Sequence, residues 1–167
     1  EGWFLGDTVN MSIGQGYRQG SPLQVAVMFA VPANGGYLVK PHLLKDNEES
    51  KNWRESLNLK PVTIDILQRG LREVITYGTG AALNVPDLPP VAGKSGTAED
   101  FGRKSHAWFG AYAPAEKPTI IVVAFAENSG GGGGSVAAPM VRQVLQAYFH
   151  PHKKPNKQAV VEDVFTD

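Results

Sequence analysis

Lys94, Ser95, Gly96 and Thr97 stand in a row, one cation and two hydroxyl side chains around a glycine. A fixed ammonium group with hydroxyl donors beside it is a set that can hold a carboxylate, and charge-assisted hydrogen bonds are roughly twice as strong as neutral ones. The glycine between the hydroxyls lets a second backbone lie close to the chain. Average residue usage puts a lysine, a hydroxyl residue and a glycine together in about one chain in ten of this length, so the letters alone decide little. The competing reading is a lysine at a strand edge beside a turn, and the surrounding elements must arbitrate.

Other residues with chemical potential are more weakly placed. His106, soon after the quartet, could line a cleft together with Trp108, although a lone strand histidine is more often packed or solvated. Trp108, Phe109 and Tyr112 read as core and cleft wall rather than as a platform for bases. The glycine run Gly130 to Gly134 ends in Ser135 and is followed by no phosphate-loop lysine, so it reads as a strand-to-helix loop. His150, His152, Lys153 and Lys154 are too loosely spaced for a metal site, and neither a metal nor a cofactor is expected. The chain has no cysteine, which excludes disulfides, thiolate catalysis and cysteine-ligated zinc. Sixteen basic and sixteen acidic residues cancel, leaving no field that would draw the chain to nucleic acid, and no nucleic-acid partner is expected. The longest apolar run, Ile120 to Ala126, is far short of the roughly 20 residues a membrane helix needs.

The elements that must position the quartet follow from periodicity. At 167 residues and 42% hydrophobic, the chain can bury a proper core. Glu1 to Gly20 shows turn residues and no clear period. Ser21-Pro22 predicts a helix start, with Leu23, Val27 and Ala30 on one face, Pro32 kinking or shortening the last turn, and Asn34-Gly35-Gly36 closing it. Tyr37 to Leu44 reads as a short edge strand because Pro41 lacks a ladder donor, and Asp46 to Lys60 as an exposed polar excursion. Thr63 can cap a second helix through Ile64, Leu67, Leu71, Val74 and Ile75, ended by Gly78. A proline-rich linker, Asn84 to Pro90, leads into the quartet's strand. Ser105 to Ala113 and Thr119 to Glu127 then form a hairpin turned at Pro114 to Pro118. The second of these strands is apolar on both faces, so both sides of the sheet need cover. Ser135 is expected to cap a third helix carrying Val136, Met140, Val141, Val144, Leu145 and Tyr148 on one face. Residues 1–149 therefore read as one structural portion and 150–167 as a tail.

Along a strand, Lys94 and Gly96 point one way and Ser95 and Thr97 the other. Twist or a local bulge is expected to bring them together.

Several long segments carry a resemblance. In order, GDTVNMSIGQGY (Gly6 to Tyr17), SPLQVAVMFAVPANGG (Ser21 to Gly36), GKSGTAE (Gly93 to Glu99), HAWFGAYAP (His106 to Pro114) and Ile120 to Phe149 resemble the C-terminal half of the transpeptidase domain of class B penicillin-binding proteins. Within that family they resemble the elongation-type branch, penicillin-binding protein 2. The quartet itself resembles the family's KTG strand, which likewise precedes a hairpin and a C-terminal helix.

The resemblance implies an α+β fold, an antiparallel sheet flanked by helices within the penicillin-binding protein and serine β-lactamase-like architecture. It implies a serine that attacks the D-alanyl-D-alanine end of a peptidoglycan stem peptide and passes the acyl group to a neighbouring amine, and that β-lactams acylate. Lys94, Ser95, Gly96 and Thr97 would bind the substrate, Lys94 and Thr97 in catalytic roles, with the Thr97 backbone N–H as an oxyanion donor. Such proteins act at the extracytoplasmic face of the bacterial inner membrane, in the periplasm, anchored by an N-terminal segment. The implied partners are the stem peptide, β-lactams and a glycosyltransferase of the rod complex.

The chain departs from the family pattern in one respect. The nucleophile motif SxxK needs a serine three residues before a lysine, and none of Ser12, Ser21, Ser50, Ser56, Ser95, Ser105, Ser129 and Ser135 meets it. Ser56-Leu57-Asn58 fits the letters of the second motif, SxN, but lies in the polar excursion. The expectation is a fragment completed by the N-terminal part of the same protein, carrying SxxK and SxN, and inactive alone. The alternatives are a non-catalytic sensor or scaffold that binds β-lactams or peptidoglycan and, more remotely, a hydrolytic β-lactamase.

Overall fold

A computed structural model describes residues 2–16, 19–44 and 53–151. Its elements are helix α1 (Leu5–Ser12), helix α2 (Pro22–Ala33), strands β1 (Tyr37–Val39) and β2 (Arg54–Ser56), helix α3 (Pro61–Thr76), a 3-10 turn (Ala81–Leu83), strands β3 (Ala92–Ala98), β4 (His106–Ala113) and β5 (Ile120–Ala126), a π-helical turn (Gly133–Ala137) and helix α4 (Ala138–Phe149). Strands β3, β4 and β5 form an antiparallel sheet in that order, and β1 pairs with β2 in a separate small ribbon.

The sheet is covered on both faces, as its doubly apolar strand requires. On one face Phe29 of α2 packs with Ala92 and Tyr112. On the other, Phe109, Ala111, Val122 and Ala124 meet Val141 and Leu145 of α4, Ile75 of α3 and Leu83. Fully buried side chains of this size each contribute about 1.5–3 kcal/mol relative to exposure. Gly110 is the point of closest approach between α2 and the sheet, where a methyl group would fall inside the Phe29 ring.

Local chemistry explains most boundaries. Ser21 Oγ accepts from the Gln24 N–H at 3.3 Å, while Gln24 Oε1 accepts from the Ser21 N–H at 2.8 Å, a reciprocal capping box. Pro32 sits inside α2 without ending it. Helix α3 starts at Pro61 behind Lys60, so Thr63 is not its cap. Pro at the first helical position costs no hydrogen bond, since that N–H is unsatisfied in any helix.

Five further expectations are corrected. The first segment contains α1, whose start is held by the Phe4 N–H donating to Asp7 Oδ2 at 2.8 Å. The edge strand stops at Val39, two residues before Pro41, and the polar excursion includes β2; its residues 46–52 lie outside the described residues. Ser135 is not a cap but lies within the π-helical turn, its hydroxyl donating back to the Gly132 carbonyl at 3.1 Å. The buried stripe of α4 is Ala138, Val141 and Leu145, packed on the sheet, with Met140, Val144 and Tyr148 exposed. Beyond α4, the His150 ring meets the Asp87 backbone carbonyl, and residues 152–167 lie outside the described residues.

Candidate active-site strand

The quartet lies on β3, an edge of the three-stranded sheet. Pairing with β4 runs without interruption from Ala92 opposite Tyr112 to Ala98 opposite His106. There is thus no bulge, the second of the two devices expected beside twist. Ser95 and Thr97 share a face with their partners Phe109 and Ala107, and Lys94 and Gly96 take the opposite face.

The backbone brings the groups together in another way. In an antiparallel strand the N–H and C=O of one residue point to the same side, and successive residues alternate sides. The carbonyls of Val91, Ser95 and Thr97 each accept a side-chain donor: Arg72 Nη1 at 2.9 Å, Lys94 Nζ at 2.8 Å and Gln15 Nε2 at 3.3 Å. These odd-numbered residues therefore face away from β4, toward the free edge. The Thr97 N–H, sharing its residue's direction, faces that edge too. Lys94 curls its long side chain around the edge, so that Nζ also lies 3.4 Å from Ser95 Oγ on the other face.

Thr79, which the sequence reading did not single out, completes this cluster. Its hydroxyl lies 2.6 Å from Ser95 Oγ. It follows α3 in Gly78-Thr79-Gly80, and the close packing there is strict: a methyl group on Gly80 would fall 2.5 Å from Ile75 Cδ1, and one on Gly134 would fall 2.4 Å from the Thr79 carbonyl oxygen. The available signal was a threonine between two glycines directly after the most regular helix.

Thr97 Oγ1 is turned to the loop after β5, where it accepts from the Gly133 N–H at 3.3 Å. Gly133 lies flat on the sheet. A methyl group there would fall 2.6 Å from the Gly96 carbonyl oxygen and 2.2 Å from that of Trp108. Gly96 in turn sits beside Trp108, whose ring stacks on Phe125 with centroids 4.2 Å apart.

His106 stands opposite Ala98, one residue past the quartet. Its ring packs against Phe125, and its nitrogens are engaged by Asn128 and Asp100 rather than by the quartet. The Ser56-Leu57-Asn58 match is a local turn: Ser56 Oγ and Asn58 Oδ1 lie 3.3 Å apart, Asn58 has φ 51, and Ser56 ends the separate ribbon. Among the described residues no group of His, Cys, Asp and Glu could hold a metal ion. Arranged in this way, β3 offers an ammonium group, the Ser95 hydroxyl and the Thr97 backbone N–H along one edge, with the Thr97 hydroxyl turned to the loop after β5.

Comparison with known proteins places the chain. The profile described as "Penicillin binding protein transpeptidase domain" matches residues 1–146. Peptidoglycan D,D-transpeptidase MrdA of Haemophilus influenzae is 35% identical over 89% of this chain and 26% of its own length. Penicillin-binding protein 2 of Pseudomonas aeruginosa, solved in complex with WCK 5153, superposes with a TM-score of 0.79 at 35% identity, over 94% of this chain and 37% of that one. A chain from a peptidoglycan synthase complex that coordinates polymerization and crosslinking gives a TM-score of 0.78 at 34% identity, over 93% of this chain and 28% of that one. The chain spans about a quarter of the length of the curated relatives it matches. With its α+β architecture and its KSGT edge strand, this chain belongs to the penicillin-binding protein transpeptidase family and is similar to penicillin-binding protein 2.

Proposed function

We propose that this chain is the KSGT-bearing part of a serine D,D-transpeptidase that cross-links peptidoglycan stem peptides and is acylated by β-lactams. The observation that carries the reading is the free edge of β3, where Lys94 Nζ, the Ser95 hydroxyl and the outward-facing Thr97 N–H lie along one line of approach. A stem peptide ending in D-alanyl-D-alanine needs its terminal carboxylate held by a cation and hydroxyl donors, and Lys94 with Ser95 and Thr97 supplies them. The serine attacks the carbonyl of the penultimate residue, and the developing oxyanion takes two N–H donors, those of Thr97 and of the serine itself. One such donor is typically worth about 3–4 kcal/mol in the transition state. The C–N bond then breaks, D-alanine leaves with a proton, and an amine of a neighbouring strand displaces the serine to complete the cross-link.

The serine and its lysine are supplied by the N-terminal part of the same protein, since no serine of this chain stands in an SxxK motif. That part also carries SxN, and a membrane anchor places the complete protein at the periplasmic face of the inner membrane. There it partners a glycosyltransferase of the cell-wall machinery, a reading supported by the similarity to a chain from a peptidoglycan synthase complex.

Labelling with fluorescent penicillin, read on a denaturing gel, tests the proposal. The full-length protein should form a covalent adduct that maps by mass spectrometry to an SxxK serine, and residues 1–167 alone should form none. An adduct on a serine of this chain would overturn the division of labour. A full-length protein that binds penicillin without acylation would be a sensor instead.

A further inference from the structure

The loop between β3 and β4 and the loop after β5 meet at His106, beside the Thr97 end of the quartet. His106 Nδ1 accepts from the Asn128 backbone N–H at 2.9 Å. That assigns the unprotonated nitrogen to Nδ1 and, in the neutral ring, leaves Nε2 as the N–H. Nε2 lies 3.8 Å from Asp100 Oδ2 on the other loop. Asp100 also lies 4.0 Å from Arg103 Nη1 and, with the Asn128 amide turned to satisfy its partners, 3.3 Å from that amide nitrogen, which donates to the Lys104 carbonyl at 2.8 Å as well. A backbone bond from the Gly130 N–H to the Ser105 carbonyl at 3.1 Å closes the same junction. Asp100 is the charged group that faces the imidazole from the β3–β4 loop, and Phe125 and Asn128 face it from β5 and beyond. The side chain is only 20% exposed.

This junction leads directly to the candidate site. Two residues past Gly130, the loop lays Gly132 beside Thr97 Oγ1, and then Gly133 donates to that oxygen and packs on the backbone of Gly96. Gly133 has no side chain to hold it there. Its loop is anchored upstream at Asn128 and Gly130 and downstream in the π-helical turn, where the Gly132 carbonyl accepts from the Ser135 and Val136 N–H groups.

We infer that His106 is a positioning residue for the transpeptidase site: its neutral ring fixes Asn128, and through it the Gly130–Gly133 loop, at the height that lets Gly133 hold the Thr97 hydroxyl. Protonation places a hydrogen on Nδ1, which then repels the Asn128 N–H, and turns the new charge toward Asp100. The loop is released while the β3–β4 side is tightened. The inference rests on the proposed acyl transfer for its consequence, but not for the contact itself.

Two substitutions separate the roles of the ring, both made in the full-length protein. His106→Asn keeps an oxygen near the place of Nδ1 that can accept from the Asn128 N–H but cannot titrate. His106→Phe keeps the ring packing against Phe125 and removes the acceptor. Second-order acylation by penicillin is measured between pH 5 and 8, the range in which histidines change charge. The unaltered protein should lose activity severalfold toward pH 5 in a one-proton step. His106→Asn should be near the unaltered rate at pH 7.5 and lack that step, and His106→Phe should be slow, by about tenfold, at every pH while unfolding at a similar urea concentration. A step retained in His106→Asn, or an unaltered rate in His106→Phe, would overturn the inference. If the full-length protein is not acylated at any pH, the transpeptidase reading fails, and histidine-selective and Asn128 amide NMR shifts decide the rest. A common titration of the His106 ring and the Asn128 N–H sustains the coupling, and independent behaviour ends it.

Discussion

The hydroxyls of Thr79 and Ser95 lie 2.6 Å apart, joining the turn after α3 to the middle of β3 across sixteen residues of sequence. Ser95 Oγ is at the same time 3.4 Å from Lys94 Nζ, so the three side chains form a chain from turn to ammonium group. Thr79 therefore orients Ser95, and Ser95 helps to hold the lysine at the edge. Replacing Thr79 by Val removes one neutral hydrogen bond of about 0.5–1.5 kcal/mol and should slow penicillin acylation of the full-length protein by about two- to twelvefold. Thr79→Ser, which retains the hydroxyl, should restore most of the rate. Loss in Thr79→Ser with none in Thr79→Val would show that the methyl group, not the hydroxyl, matters.

Lys94→Ala and Thr97→Val should differ in degree. The first removes the cation of the edge, a charge-assisted contact of about 1.5–3 kcal/mol, and should slow acylation by one to two orders of magnitude. The second removes a hydroxyl that accepts from Gly133, but leaves the Thr97 backbone N–H in place. It should therefore hurt less. The comparison is made on second-order acylation rates of folded variants, and a larger loss for Thr97→Val would count against these roles.

Gly133→Ala should destabilise the protein, because the added methyl group would sit 2.2 Å from the Trp108 carbonyl oxygen and cannot be relieved by turning a side chain. Overpacking of this kind costs about 1–3 kcal/mol. Gly70→Ala is the matched control. Gly70 lies in the middle of α3 with nothing within 4 Å of an added Cβ, so alanine should stabilise by about 0.5–1 kcal/mol. Urea unfolding of the two variants, read as opposite shifts in midpoint, checks the pair.

Tyr112 is fully buried between α2 and the sheet, and its hydroxyl has no hydrogen-bond partner among the described residues. Burial raises its pKa above the usual value of 10.0. The folded state then holds its proton more tightly than the unfolded state, so stability falls as pH rises through the unfolded value near 10. Tyr112→Phe should keep or raise stability near neutrality, by up to about 1–3 kcal/mol, since it removes a buried polar group left unpaired. It should also flatten the alkaline decline. Urea midpoints measured from pH 7 to 11 test both points, and a marked loss at pH 7 would mean that the hydroxyl is satisfied in solution.

The local elements were legible because each rests on neighbours in the chain. The helix start at Ser21-Pro22, the helical spacing of Ile64, Leu71 and Ile75, and the strand that becomes β4 are all set within a few residues, and the structure reproduces them within two or three positions. KSGT could be read as part of a strand before a hairpin for the same reason, with the long ordered resemblance around it. Helix α1 was not expected because Leu5, Val9 and the nearby Ile13, though four residues apart, stand among turn residues such as Gly6, Asn10 and Gly14, and all three are exposed. The geometry of the site was a tertiary matter. Thr79 meets Ser95 across 16 residues, Arg72 meets Val91 across 19, Asn128 meets His106 across 22 and Gln15 meets Thr97 across 82. A hydroxyl or amide that reaches a distant acceptor leaves no period in the sequence, since many residues of the same type could make the bond. Which one does is decided only when packing of α2, α3 and α4 against the sheet brings their loops to the open edge of β3.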